Sequence, residues 1–417
     1  MIRLIFGVVV SILLSLACSK TNNNTNPIIV PVDTFIPVAS IYLDANEQTV
    51  NGFGGATAFQ PNLADADVAT LFGNQNDSQL GLSILRIRIA PSDSTKWKTE
   101  LSNALRAKTF GAIVMASPWT PPAYMKTNNN LIGGRLNPKY YSSYATYLNG
   151  FTDYMKRNGA ELYAVSIQNE PDWNATYESC FWSANEMTNF INGNTFNLGN
   201  TKLLAAESYY FKQSYTDSIL NDSLAASKLG IIGGHIYGGG LAYYFNAQYK
   251  GKDVWMTEHL DTATNWNAVM GTAKEIYNCL ALAKYNAYIW WYLKRYYGPI
   301  DESGNITKRG YVMAQFSKYI RPGYKRVNVS SPYSKVLISA YKGNANKVVL
   351  VAINTSDSAK TTRFVFNKNS IGSFPSRFST RITSATQNLE VSNSVIVVDS
   401  GFNYVLPPSS IVTFSSN

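Results

Sequence analysis

Histidine is nearly absent from this chain of 417 residues: His235 and His259 are the only two. That scarcity excludes a His-rich zinc centre or a His–His proton relay. Cysteine is as rare, with Cys18, Cys180 and Cys279 alone, too few for a disulfide framework. Charged residues make up only 15% of the chain, and the 36 Lys+Arg against 26 Asp+Glu are scattered rather than gathered into a block that could track a phosphate backbone. Nucleic acid is therefore not an expected partner. A phosphate-binding GxGxxG turn is missing too, since Gly52-Phe53-Gly54-Gly55 does not supply one. In contrast, 45% of residues are hydrophobic, and 28 tyrosines and 8 tryptophans form an aromatic excess. Aromatic faces outside a core serve as dry platforms for ring-shaped ligands, sugars among them.

The N-terminus reads as an export signal over residues 1–17, with Arg3 as its positive region and Leu4 to Leu16 as an apolar stretch too short to span a bilayer. Leu14-Ser15-Leu16-Ala17-Cys18 resembles a bacterial lipoprotein box, which makes Cys18 a lipid-anchor candidate ahead of a polar tether, residues 18–38. The expectation is an exported cell-envelope lipoprotein, otherwise a secreted protein, touching a membrane only through that N-terminal anchor.

Short β-branched runs then recur with amphipathic stretches between them: 50–56, Leu82–Ala90, Gly111–Trp119, Leu162–Asn169, Thr201–Glu207, Leu229–Tyr237, Asp253–His259 and Asn286–Leu293. Intervening segments such as Tyr140–Asn158 and Trp266–Lys284 carry helical spacing without proline. Eight βα units predict an α/β fold, a (β/α)8 TIM barrel over residues 50–322. Alternating runs beyond Pro322 (Lys335–Tyr341, Lys347–Asn354, Thr361–Phe366, Phe378–Ile382, Val395–Val398 and Ile411–Phe414) predict a side β-sandwich over 323–417, joined by a strand from 39–49.

In a barrel the working groups stand where strands end. Two of the runs end in glutamate, Gln168-Asn169-Glu170-Pro171 on the fourth and Trp255-Met256-Thr257-Glu258 on the seventh. A pair of carboxylates across a barrel mouth is what glycoside hydrolysis needs: one donates and withdraws a proton, the other attacks the anomeric carbon or activates water. No metal and no organic cofactor enters that chemistry.

These two segments, together with Asn51-Gly52-Phe53-Gly54-Gly55, Ala116-Ser117-Pro118-Trp119, His235-Ile236-Tyr237-Gly238, Trp290-Trp291-Tyr292 and Lys308-Arg309-Gly310-Tyr311, resemble glycoside hydrolase family 30 over residues 40–417. Within the family the chain is most similar to the bacterial glucuronoxylan endo-β-1,4-xylanases. The resemblance implies a retaining enzyme with Glu170 as acid/base and Glu258 as nucleophile. It also implies that Asn169 holds the sugar 2-hydroxyl and that Arg295, with Tyr297 two residues on, binds the carboxylate of a (methyl)glucuronic acid branch. Trp119 and Trp291 fit an aromatic floor under the sugar, and Tyr237 has a phenol able to orient Glu258. His235 reads as a structural histidine, and His259 should point away from the site because successive strand residues face opposite sides.

The loop His259–Trp266 is shorter than in typical glucuronoxylanases and lacks the tyrosines that usually follow the nucleophile, which implies a relaxed dependence on the acidic branch. The substrate expected is a xylan-type polysaccharide. Alternatives are another retaining family 30 β-glycosidase (neutral xylan, xylobiose-releasing or glucan-active) and a non-catalytic surface lipoprotein that captures glycan. Cys180 and Cys279 receive no function.

Overall fold

The structure is a computed structural model that describes residues 35–91, 94–367 and 374–416. The export signal, Cys18 and the tether up to residue 34 lie outside the described residues. Among the described residues no helix is long and apolar enough to cross a membrane.

Strand β1 (Val38–Thr49) precedes the barrel. Eight parallel strands then close on themselves: β2 (Gly52–Ala56), β3 (Ile84–Ile89), β4 (Ile113–Pro118), β5 (Ala164–Ser166), β6 (Lys202–Ser208), β7 (Leu229–His235), β8 (Asp253–Glu258) and β9 (Ala287–Tyr292), with β9 pairing back onto β2. Closure brings β2 against β3 so tightly that a Cβ on Gly54 would stand 2.0 Å from the Ile84 carbonyl oxygen. Only glycine allows that approach. The surrounding helices are α1 (Asp65–Phe72), α2 (Ser94–Thr109), α3 (Tyr141–Arg157), α4 (Ala184–Gly193), α5 (Gln213–Asn221), α6 (Ser223–Lys228), α7 (Phe245–Tyr249), α8 (Trp266–Tyr277) and α9 (Lys308–Ser317). Side-chain caps fix where several begin: Asn265 accepts from the Ala268 amide at the start of α8, and Thr307 from Gly310 at the start of α9. The helix expected over 266–284 ends earlier, at Tyr277, and continues as a single wider π turn over Asn278–Leu282.

Eight further strands, β10 (Lys325–Ser330), β11 (Val336–Lys342), β12 (Val348–Asn354), β13 (Lys360–Asn367), β14 (Arg377–Thr383), β15 (Glu390–Ile396), β16 (Gly401–Leu406) and β17 (Ser410–Ser416), take up β1 to make one nine-stranded sheet, mostly antiparallel. β1 is antiparallel to β10 and parallel to β13. The sheet rolls until its two edge strands meet, where the Ser392 and Tyr404 hydroxyls lie 2.9 Å apart. It encloses a core of its own that includes Ile41, Phe364, Phe378, Phe402 and Phe414. The sequence pattern had not marked β10 or β16, and it had placed β15 at Val395–Val398. The apolar pattern is sparse or interrupted in each: β10 has only Val327 and Val329, β16 opens on Gly401 and carries Asn403 between Phe402 and Tyr404, and Ser392 to Ser394 interrupt β15.

The outer face of the sheet docks on the barrel through α8 and α9. Gln315 donates to the Thr383 hydroxyl, Thr413 to the Gln315 carbonyl, and the Trp266 indole to the Ser409 carbonyl. Cys180 and Cys279 are both buried and free, so no bridge joins them.

Candidate active site

Glu170 and Glu258 face each other at the C-terminal ends of the barrel strands, both buried. Atoms of Glu170, His235 and Glu258 capable of binding a ligand lie within 4.8 Å of one another. Between them and the dry bore below runs a layer of charge that sequence reasoning did not foresee. Arg86, fully buried on β3, donates Nη1 to Glu258 Oε2 at 2.5 Å, and Nη2 to Asn169 Oδ1 at 2.6 Å and Glu207 Oε1 at 3.0 Å. His235 places Nδ1 2.9 Å from Glu170 Oε1, with Nε2 3.6 Å from Glu207. Tyr237 donates its phenol to Glu258 Oε1 at 2.8 Å.

The electrostatics follow from this pairing. Burial alone would lift Glu207, but the Arg86 guanidinium and His235 outweigh it and hold the carboxyl down at about 2. Burial pulls His235 down, yet the charge of Glu258, the bond to Glu170 and the nearby Glu207 carboxylate raise it to about 9, so the ring is a cation at neutral pH. Burial pushes Glu258 above the usual carboxylate range; His235, Arg86 and Tyr237 pull the other way, and the charge of Glu170 adds to the push.

The backbone that delivers these groups is itself unusual. Glu170 and Glu207 both take left-handed φ values, +46° and +52°, which non-glycine residues adopt rarely and at a cost. Two bonds hold them: the Glu170 amide donates to the Glu207 carbonyl at 3.1 Å, and the Asn169 amide to Pro118 at 2.8 Å. Because Asn169 Oδ1 is engaged by Arg86, its amide nitrogen is the end left to donate to a ligand.

A cleft of about 510 Å³ opens above the carboxylates. Trp119 and Trp291 form one wall, their rings 5.7 Å apart, with the Arg86 guanidinium 4.8 Å from the Trp119 ring and 5.8 Å from that of Trp291. Trp173 and Tyr209, stacked at 4.1 Å, form the other. Tyr177 also lines the cleft and donates its phenol to Glu170 Oε2 at 2.8 Å.

Of the residues singled out in the sequence, Trp119, Asn169, Glu170, Tyr237, Glu258 and Trp291 come together here. Arg295 and Tyr297 do not join the cleft wall: Arg295 is exposed and stands 6.0 Å from the ring of Tyr292, which does line the cleft, while Tyr297 is buried. His235, read as structural, instead touches Glu170. His259 turns outward, with Nδ1 2.7 Å from Glu275 on α8. The missed residues left a signal. Arg86 interrupts an apolar parallel strand, and Glu207 is a third strand-end glutamate that the count of two passed over. Tyr177 left none, because its loop has no periodicity to read.

Glu170, His235 and Glu258 together offer the donors of a small metal centre. Their carboxylate oxygens are already engaged, however: Arg86 and Tyr237 donate to the two oxygens of Glu258, and Tyr177 to Oε2 of Glu170. The group suits proton handling better than a metal ion.

A closed parallel barrel with two facing carboxylates in an aromatic cleft defines a glycoside hydrolase. Residues 62–246 match the glycosyl hydrolase family 30 TIM-barrel domain. The chain is 38% identical to glucuronoxylanase XynC of Bacillus subtilis (strain 168) over 395 residues, 91% of the length of each. Among solved structures it is similar to the family 30 subfamily 8 xylanase Xyn30A of Clostridium acetobutylicum, with a TM-score of 0.85 and 40% identity over 91% of this chain and 99% of that one. The family 30 endoxylanase of Clostridium papyrosolvens C71 gives a TM-score of 0.83 and 37% identity over 91% and 100%. The chain belongs to glycoside hydrolase family 30.

Proposed function

We propose that this chain is a retaining endo-β-1,4-xylanase that cuts glucuronoxylan at positions influenced by a glucuronic acid branch. The observation that carries the reading is the closeness of Glu170 and Glu258, with oxygens within 4.8 Å. Retaining enzymes hold their carboxyls about 5–5.5 Å apart, whereas inverting enzymes leave about 6.5–9.5 Å for a water. The names of the similar glucuronoxylanases and xylanases support the substrate class.

Glu258, gripped by Arg86 and Tyr237, attacks the anomeric carbon while Glu170 gives its proton to the leaving oxygen. Glu170 then takes a proton from water, which attacks the same carbon and releases Glu258. Glu170, Glu207 and Glu258 bring three negative charges and Arg86 and His235 two positive ones, so one proton shared in the cluster makes it neutral. The donors Arg86 and Tyr237 on the two oxygens of Glu258 favour its charged form, as a nucleophile needs. Asn169 donates to the sugar 2-hydroxyl, and Trp119 and Trp291 pack on the ring.

The branch specificity rests on Arg295, whose planar fork suits a carboxylate. Its exposed position beside Tyr292, and the short loop after Glu258, favour a uronate contact that assists cleavage without being required. The test is the mass of products from glucuronoxylan and, in parallel, from unsubstituted linear xylo-oligosaccharides, with the first-formed anomer read by proton NMR. Acidic products with the branch at a fixed place, released as the β-anomer, support the whole reading; Arg295→Ala should then scatter the branch position. Equal cutting of both substrates, unchanged in Arg295→Ala, removes the uronate and keeps the xylanase; an α-anomer removes retention.

Export and lipidation at Cys18 complete the proposal. Expressed in a bacterium with its own leader, the chain should fractionate with the envelope, and Cys18→Ser should release it. Equal release of the parent chain would remove the anchor.

A further inference from the structure

We infer that Tyr177 is a positioning residue for the acid/base: its phenol sits on the cleft-side oxygen of Glu170 and sets when that oxygen gives up its proton. This rests on the reading of Glu170 as acid/base. The two oxygens of Glu170 have different surroundings. Oε1 meets His235, which is fully buried, whereas Oε2 meets Tyr177, which is 44% exposed and lines the cleft. A protonated His235 already donates to Oε1, so the transferable proton belongs on Oε2, the oxygen a leaving group can reach. A phenol there serves both states of the carboxyl. It donates a charge-assisted bond to the carboxylate, and by rotating its O–H it accepts a weaker one from the carboxylic acid, so on balance it favours the charged form.

The phenol is held by the protein rather than drawn in by Glu170 alone. Beside it, Glu178 is clasped by Arg88 through Nε at 3.0 Å and through Nη2, and Arg88 itself lies 4.3 Å from the Phe59 ring. On the next residue the Ser179 amide donates to the Leu131 carbonyl at 3.0 Å, and the Ser179 carbonyl accepts from Lys126 Nζ at 2.6 Å. Ser179 Oγ accepts from the Gly133 amide and donates to the Tyr177 carbonyl, both at 2.9 Å. The segment thus bridges from the end of β5 across to β3, and Tyr177 carries its hydrogen bond to the carboxylate pair.

The other charged or titratable groups around Glu170 are His235 from β7, Glu258 from β8, Arg86 from β3, Glu207 from β6, and the phenols of Tyr209 and Tyr237. None of their hydrogen bonds involves Tyr177. Burial and the charge of Glu170 raise the Tyr177 phenol well above its ordinary range, so it stays a donor through any working pH.

The experiment is the pH profile of kcat/KM on xylan for the full chain and for Tyr177→Phe, which loses one oxygen from a half-exposed ring. Removing a donor to the charged form makes the acid keep its proton longer, so the alkaline limb should move up by roughly half to one pH unit. Glu178→Gln, which loosens the clasp, should move it the same way by less. A dinitrophenyl xylobioside, whose leaving group needs no proton, should be cleaved at the parental rate by Tyr177→Phe, while xylan cleavage slows roughly tenfold or more. A folded Tyr177→Phe that loses rate equally on both substrates with an unmoved limb overturns the inference and shows a wall of the cleft only. A parent chain that cuts neither substrate overturns the functional reading instead.

Discussion

The floor and the mouth of the barrel are built from the same strands by the same alternation, yet they have opposite chemistry. At the floor, Ile84, Met115, Ala164, Leu204, Ile231, Trp255, Ala287 and Ile289 point inward into a dry plug. Trp255 closes it, stacked 5.6 Å from Tyr163 and donating its indole N–H to Asn51. Two residues further along each strand stand Arg86 above Ile84, Ser117 above Met115 and Ser166 above Ala164, and the strand ends add Glu207, His235 and Glu258. Nothing has to enter the floor, so it can be filled to close packing. The mouth must stay open to a sugar, and its buried charges survive only by pairing with one another. Substitutions at the floor should therefore change stability, and substitutions at the mouth rate and pH response.

The sharpest test of that division is Glu258→Gln. It should lower kcat by on the order of 10⁴-fold or more while the circular dichroism spectrum stays that of the parent. Trp255→Ala is its counterpart at the floor. It empties a site that is fully buried and should cost about 3–5 kcal/mol in denaturant unfolding, with kcat per folded molecule unchanged. A large fall in kcat from the folded fraction of Trp255→Ala would break the comparison, because it would mean the plug also positions the carboxylates.

Arg86→Lys asks a finer question of the mouth. Lysine keeps the charge but not the fork that reaches Glu258, Asn169 and Glu207 at once. A loss of about 10²-fold in kcat, with KM less affected, is expected if that geometry serves the transition state. If charge alone suffices, the lysine variant should run near the parental rate.

How much of this was legible in the sequence differs between the same two regions. The barrel announced itself because short apolar runs, many of them rich in β-branched residues, recur between helical stretches, and the floor follows from those runs directly. Glu170 and Glu258 were legible as strand-end carboxylates carried by motifs that resemble a family. The layer that makes them work was not. Arg86 lies inside an apolar run, Glu207 depends on a left-handed turn for its direction, and His235 gains its role only from a neighbour 65 residues away. Tyr177 depends on a loop held by Arg88, 89 residues earlier in the chain. Such pairings are set by closure of the barrel, which no local pattern encodes. In the side sheet, β10 escaped notice for a simpler reason: with β1 and β11 paired on its two sides, it can tolerate polar residues that would end an isolated run.

The smallest effect expected concerns how the mouth's pairing shows in stability. His235 is raised from 6.5 to about 9, so the protonated ring stabilises the folded state fully below pH 6.5, and that contribution is lost as pH rises through about 9. Glu207 is lowered from 4.5 to about 2, so its contribution is present above pH 4.5 and is lost as pH falls through about 2. Each shift corresponds to at most about 3 kcal/mol, shared among coupled groups. Denaturant midpoints compared between the parent and His235→Asn should converge from pH 6.5 to 9, and those of Glu207→Gln should converge with the parent's from pH 4.5 down to 2. The floor variant Trp255→Ala should run parallel to the parent across both windows, since the indole donates to the neutral Asn51 amide and stacks on the Tyr163 ring. Curves for His235→Asn that stay parallel to the parent through pH 9 would show that the ring is neutral in the folded protein. The proton that neutralises the three carboxylates would then have to be sought elsewhere in the cluster.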